Sequence, residues 1–192
     1  MEEIKEESKY DVLRLESQLC FPLYACSKEI VRRYKPFLDE IDLTYTQYIT
    51  MMVLWFKKKV NVKELGEELM LDSGTLTPVL KKLEGKGYIT RERSKEDERT
   101  LIVSITKEGE DLKDKALSIP KKMSICLGIE KEQMDILYNL LYQVIKNIEN
   151  NEKKTKNLYE YFNCSSKEEL YKLVKNRDPS VKELLNYFKY AI

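Results

Sequence analysis

Histidine is absent from all 192 residues. That excludes Ser-His-Asp and Cys-His catalysis, and any zinc site that needs imidazole. Glycine (6) and proline (5) are sparse, which points away from a loop-rich or sheet-rich architecture. No apolar run approaches the roughly 20 residues of a membrane span. The opening Met1-Glu2-Glu3-Ile4-Lys5-Glu6-Glu7 is mostly acidic and leads into no signal-peptide core, so a cytoplasmic location is expected. None of the four cysteines, Cys20, Cys26, Cys126 and Cys164, stands in a CxxC pair. Metal ribbons and thioredoxin-like motifs are therefore unsupported, and neither a metal nor another cofactor is expected. In a reducing cytosol these cysteines are thiols. Charge of one sign is not in excess either: Lys+Arg 34 against Asp+Glu 33 leaves +1. Bulk charge names no partner, and any nucleic-acid footprint must come from local clustering.

What is present is 42% hydrophobic and 35% charged residues, the balance of helices with one apolar and one solvated face. The length suits one domain with a short appendage. Residues 1–10 are polar and expected to fray. Apolar residues recur at helical spacing from Val12 through Leu15, Leu19, Leu23, Ile30, Tyr34, Phe37 and Leu38. Pro22 interrupts them, so a helix either restarts near Cys20 with Pro22 in its first turn or kinks there; Pro36 marks another break or bend. Thr44 and Gln47 have capping-box spacing before an apolar helix through Trp55 and Phe56. A short amphipathic helix over Val62–Leu69, a turn, and a second helix over Thr75–Glu84 follow, with Asp72 or Ser73 as N-cap. Gly85 and Gly87 end it. Two strand-like runs, Tyr88–Arg93 and Thr100–Ile105, flank a wholly polar link and read as a β-hairpin. Thr106 caps the next helix, Pro120 breaks or bends it, and Gly128 is a further break. A long helix over about 131–150 leads to a polar joint or a continuing helix. Residues 151–192 read as a separate helical appendage, with two overlapping capping boxes at Ser165-Ser166-Lys167-Glu168-Glu169 and a last helix opened by Asp178-Pro179.

Helix, turn, helix and hairpin in that order make a mainly α fold with a small β-wing, a winged helix-turn-helix. The second helix begins with small hydroxylated residues. Ser73, Thr75 and Thr77 fit a major groove and can bond bases or phosphates; Lys81 and Lys82 suit phosphates. The hairpin carries Arg91, Arg93, Lys95 and Arg99, and an arginine at a wing tip can enter a minor groove. A solvated hairpin beside an ordinary helix pair would show the same pattern, and this fold also occurs in proteins that never meet DNA.

Asp72-Ser73-Gly74-Thr75-Leu76-Thr77-Pro78-Val79-Leu80-Lys81-Lys82-Leu83-Glu84 resembles the recognition helix of MarR-family regulators, and Ser94-Lys95-Glu96-Asp97-Glu98-Arg99 resembles their wing with its Asp-x-Arg motif. The resemblance implies DNA contacts from the recognition-helix residues, Pro78 included, and has Asp97 orient Arg99 for the minor groove. Leu19-Cys20-Phe21-Pro22-Leu23-Tyr24-Ala25, Tyr34-Lys35-Pro36 and Leu43-Thr44-Tyr45-Thr46-Gln47-Tyr48 narrow it to the organic-hydroperoxide-sensing OhrR branch. The likeness runs from about Leu13 to Ile148 and does not reach the tail from about Asn151, so 1–150 is expected to be the MarR-like domain.

A lone cysteine on an apolar helix is usually an inert core residue. The resemblance gives Cys20 another role, that of a peroxide-reactive thiol. A helix start at Cys20 would favour the thiolate through unpaired amides and the helix dipole. The resemblance implies that Tyr34 and Tyr45 reach this sulfur from the partner subunit; Tyr24, one turn from Cys20, joins the same pocket. Cys126 resembles the resolving thiol of the two-cysteine subtype, implying a Cys20–Cys126 bridge between subunits. A small-molecule thiol remains the other route to resolution. Cys26 and Cys164 are expected to be structural, although Cys164 has no counterpart in the family and leaves open which thiol resolves. The implied protein is a homodimeric repressor that binds operator DNA, responds to organic hydroperoxides and has no membrane partner. Its alternatives are a MarR-type regulator released by a small aromatic ligand, and a thiol peroxidase; activation rather than repression also stays open.

Overall fold

Pro22 settles where the first long helix begins. In a computed structural model that describes residues 10–163, 165, 166 and 169, two 3-10 turns, Asp11–Leu13 and Leu15–Ser17, precede helix α1, Cys20–Asp39, so that Pro22 sits third in the helix. There its missing amide costs nothing, because first-turn amides have no intrahelical acceptor. Pro36 does not break α1, which runs through it to Asp39; the burial of Leu38 and the packing of Phe37 on the core carry the last turn past the lost bond. Thr44 and Gln47 make both bonds of the capping box at the head of α2, Tyr45–Lys57: Thr44 N–H donates to Gln47 Oε1 at 3.0 Å, and Gln47 N–H to Thr44 Oγ1 at 3.4 Å.

The sheet has three strands, not the two expected of a hairpin. β1, Lys59–Asn61, pairs antiparallel with β3, Leu101–Ile105, which pairs in turn with β2, Ile89–Arg93, in the order β1-β3-β2. Three residues are too few for a period-two pattern. The strand is created by Lys58, whose φ of +63° turns the chain out of α2 and whose carbonyl accepts from Ile105 N–H. Between β1 and β2 stand α3, Val62–Leu69, and α4, Ser73–Gly85; after β3 come α5, Lys107–Ala116, and α6, Ile119–Leu127, with Pro120 in the first turn of α6. Gly128, at φ +61°, closes α6. The winged helix-turn-helix is thus complete.

Its core joins α2 (Met51, Leu54, Trp55), α3 (Leu65), α4 (Leu76, Leu80, Leu83) and the sheet (Val60, Ile89, Val103). Full burial of such a side chain contributes roughly 1.5–3 kcal/mol. The chain divides into two compact units, Met1–Gly128 and Ile129–Ile192. In the second, α7, Lys131–Phe162, is one helix of 32 residues; the polar stretch from Asn150 continues it. Between residues 136 and 148 it leaves Ile136, Leu137, Leu140, Leu141, Val144 and Ile148 exposed. Beyond it, Glu169 N–H donates to Ser166 Oγ at 3.2 Å, one of the two expected caps. The expected fraying of residues 1–9 and the helix opened by Asp178-Pro179 lie outside the described residues. Among those described, no helix is long and apolar enough to cross a membrane.

Candidate functional site

Two buried constraints set the turn between α3 and α4. Leu71 N–H bonds the Gly66 carbonyl at 2.9 Å, and a Cβ on Gly66 would stand 2.9 Å from the Leu71 carbonyl oxygen. Asp72 then caps α4, taking Thr75 N–H at 2.9 Å on one carboxylate oxygen and the Thr75 hydroxyl at 2.8 Å on the other. These bonds, the hydroxyl's first, hold the Asp72 carboxyl below its usual pKa. With Leu76, Leu80 and Leu83 on the core side, Thr75, Thr77, Pro78, Lys81 and Lys82 fall on the opposite, exposed face, and Ser73 is exposed at its head. The hydroxyl protons of Thr75 and Thr77 are already committed, to Asp72 and to the Ser73 carbonyl at 2.7 Å. In this arrangement both hydroxyls can accept a bond but not give one, which suits the amino groups of cytosine or adenine and not a phosphate.

The wing is tied by its backbone. Ser94 N–H bonds the Thr100 carbonyl at 2.8 Å, and Thr100 N–H bonds the Asp97 carbonyl at 2.9 Å. The Asp97 carboxylate accepts the Thr100 hydroxyl at 2.7 Å and the Arg99 backbone N–H at 3.0 Å, which together hold it below its usual pKa, the hydroxyl most. Asp97 thus fixes the turn at the wing tip through the Arg99 main-chain N–H, and the Arg99 side chain is exposed. Two of the other wing cations are held by internal bonds. Arg93 donates to the Glu98 carbonyl at 2.5 Å, and Arg91 donates twice to Glu84.

The lowered carboxyl pKa values set an acid limit. The stabilisation from Asp72 and Asp97 is complete above their unfolded pKa, near 3.8, and is lost as pH falls through the lower folded values. Between pH 6 and pH 3 the urea midpoint of the wild type is expected to fall further than that of an Asp72→Asn, Asp97→Asn protein.

Cys20 is the first residue of α1, exposed, in a turn that no side chain caps. Tyr24 follows one turn on, 64% exposed. Tyr34 and Tyr45 meet with ring centroids 5.0 Å apart; Tyr48 stacks 6.0 Å from Tyr34, and Trp55 6.0 Å from Tyr48. Burial raises the phenol pKa of Tyr34, Tyr45 and Tyr48, so all three remain hydrogen-bond donors at neutral pH. Tyr48 was not singled out in the sequence, though its i+3 spacing from Tyr45 places it on the same helix face. The fold brings the tyrosines to one another and not to the thiol of their own chain: Tyr34 is fourteen residues along α1 from Cys20, about 21 Å. Cys126 is exposed near the end of α6, which packs at the far end of α1 from Cys20. Lys122, one turn before it, reaches the Glu40 carboxylate at 3.3 Å, and Glu40 lies about 30 Å from Cys20. Within one chain the two cysteines are too far apart for a disulfide. Cys26, expected to be structural, is exposed on α1; Cys164 lies outside the described residues.

Residues 32–116 match the family described as transcriptional regulator SarA/Rot. The organic hydroperoxide resistance transcriptional regulator of Bacillus subtilis is 46% identical over 145 residues, 74% of this chain and 97% of that protein. Among solved structures, reduced AbfR bound to DNA matches with a TM-score of 0.61 at 31% identity, over 73% of this chain and 98% of its own. AbfR, a Staphylococcus epidermidis protein, is also known in a disulfide-formed state, which matches with a TM-score of 0.50 at 32% identity, over 71% and 96% of the two chains. These relatives are regulators or DNA-bound proteins; none is described as an enzyme. With a fold shared with AbfR and nearly the whole Bacillus regulator covered, this chain belongs to the MarR family of transcriptional regulators, in its organic hydroperoxide resistance (OhrR) branch.

Proposed function

We propose that this protein is a cytoplasmic, homodimeric repressor that leaves its operator when an organic hydroperoxide oxidises Cys20. The observation that carries this reading is an exposed thiol on the first turn of α1, which no side chain caps, in a chain 46% identical to an organic hydroperoxide resistance regulator. The Cys20 thiolate attacks a peroxide oxygen and the O–O bond breaks. Sulfur is oxidised by two electrons to a sulfenic acid, and the peroxide leaves as an alcohol after taking up a proton. The Cys126 thiol of the other subunit then displaces water from the sulfenic acid and forms a disulfide.

Dimerisation supplies what one chain lacks. Tyr34 and Tyr45 can serve Cys20 only from a second copy, and Cys126 can resolve it only across the same boundary. The exposed apolar residues Leu19, Phe21 and Leu23 of the N-terminal region and the apolar stretch of α7 are suited to that interface. Two copies of α4 would then read successive major grooves, about 34 Å apart. Ser73, Thr75, Thr77 and Pro78 face the bases, Lys81 and Lys82 the phosphates, and Arg99 the minor groove, with Asp97 holding it. Residues 1–150 form the regulatory domain, and 151–192 an appendage outside the family pattern.

Anisotropy of labelled DNA from upstream of the protein's own gene tests the reading. Reduced protein is expected to bind, and one equivalent of cumene hydroperoxide per subunit to weaken binding at least tenfold, within the usual range of allosteric coupling. Binding that ignores the peroxide would instead favour a regulator released by a small aromatic ligand.

A further inference from the structure

Arg91 is among the basic residues of the wing, yet its surroundings are those of an internal strut. Ile89, Arg91 and Arg93 share one face of β2 by the strand's period of two, the face that Ile89 buries in the core. Arg91 therefore points towards α4. Its Nε and Nη2 donate to one oxygen of Glu84, on the last turn of α4, at 3.0 and 2.5 Å. Only 18% of the Arg91 side chain is exposed. The covalent connection between α4 and β2 is just Lys86-Gly87-Tyr88, with Gly87 at φ +76°. Backbone bonds hold this link close to α4, Gly87 N–H to the Glu84 carbonyl at 2.9 Å and Tyr88 N–H to the Leu83 carbonyl at 3.1 Å, and the ion pair adds the side-chain tie between α4 and β2 beyond it.

We infer that Glu84 and Arg91 are a positioning pair, which sets the angle between the recognition helix and the wing, and that Arg91 contacts no phosphate. This rests on the DNA-binding reading above. A helix in the major groove and a wing arginine in the minor groove of the same duplex must hold a fixed relative geometry, so loosening the pair costs specific binding while leaving the number of phosphate contacts unchanged. Arg93, bonded to the Glu98 carbonyl at 2.5 Å, holds the wing tip and does not bridge to α4.

The test uses the full-length protein, with Arg91→Gln, Glu84→Gln, the double variant, the exchanged pair Glu84→Arg with Arg91→Glu, and Arg99→Ala as the phosphate- or groove-contact control. Far-UV circular dichroism confirms folding. Operator binding is expected to weaken about tenfold in each glutamine variant, no further in the double variant, and to recover in the exchanged pair. The slope of log affinity against log salt is expected to match the wild type in the glutamine variants, and to fall by about one in Arg99→Ala if that side chain displaces a counterion. A slope lowered by about one in Arg91→Gln, with equal loss on random-sequence DNA, would make Arg91 a phosphate contact and overturn the inference, as would unchanged operator binding in Glu84→Gln. A second readout needs no DNA: amide exchange across 89–105 is expected to quicken in both glutamine variants, and unchanged exchange would overturn the brace. A wild type that binds no DNA but shows quickened exchange in the variants would fault the functional reading and leave the brace standing.

Discussion

A Cys20→Ser protein is expected to stay on the operator at hydroperoxide concentrations that strip the wild type from it. Serine keeps the size and the helix position, but its hydroxyl forms no comparable anion at neutral pH and cannot be oxidised to a sulfenic acid. Reduced-state affinity should be nearly unchanged, because Cys20 begins α1 and belongs to neither α4 nor the wing. The expected difference is therefore confined to the response: at least tenfold weakening in the wild type and none in the variant, read by anisotropy on the same DNA. Cys126→Ser separates the two chemical steps. Oxidation of Cys20 should persist, while the subunit-sized band on a non-reducing gel should no longer shift to the dimer. A covalent dimer that survives in Cys126→Ser would assign resolution to a different thiol.

The second large effect is structural, and falls where the helices meet the wing. Gly109 stands in the first turn of α5 with its N–H on the Thr106 hydroxyl at 3.0 Å and its carbonyl taking the buried Trp55 Nε1–H at 2.9 Å. Thr106 in turn donates its hydroxyl to the Gly87 carbonyl at 2.6 Å and its backbone N–H to the Tyr88 carbonyl at 3.0 Å. A Cβ on Gly109 would lie 2.2 Å from that Tyr88 carbonyl oxygen and 2.9 Å from Ile105 Cγ1. The clash is with backbone, so no rotamer relieves it; α5 must shift, and the Trp55 bond goes with it. Gly109→Ala is expected to cost about 3 kcal/mol or more, beyond ordinary overpacking, read as a lowered urea midpoint. Gly85→Ala is the control. Nothing lies within 4 Å of its added Cβ, and the change should be neutral or stabilise by up to about 1 kcal/mol. Equal shifts for the two would contradict the close approach.

The elements that depend on local chemistry were legible in the sequence. Thr44 and Gln47 marked the start of α2 and Thr106 that of α5, and Asp72 or Ser73 that of α4, because a cap needs only neighbours three residues away; Pro22 allowed either a restart near Cys20 or a kink, and the structure has the restart. Features that depend on distant partners were not. β1 exists because β3 offers it an edge. The bonds of Arg91 to Glu84 and of Arg93 to the Glu98 carbonyl depend on how the wing folds back, and charge, which offers both residues as DNA contacts, does not reveal them. Asp97 was read as orienting Arg99 for a minor groove; its carboxylate accepts the Arg99 main-chain N–H and the Thr100 hydroxyl, bonds that the motif alone does not specify. The polar run after Asn150 read as a joint or a continuing helix, and α7 continues through it to Phe162. Counting along α1 was enough to separate Cys20 from Tyr34, but only the contact of Lys122 with Glu40 separated Cys20 from Cys126 within one chain.

The most direct measurement is a titration with cumene hydroperoxide in which operator release and the Cys20–Cys126 disulfide are quantified in the same samples, by anisotropy and by mass spectrometry of non-reduced peptides. The two fractions are expected to rise together, complete near one equivalent of peroxide per subunit, and a thiol reductant to reverse both. Release with Cys20 still reduced, or a fully formed disulfide with the operator still bound, would contradict it.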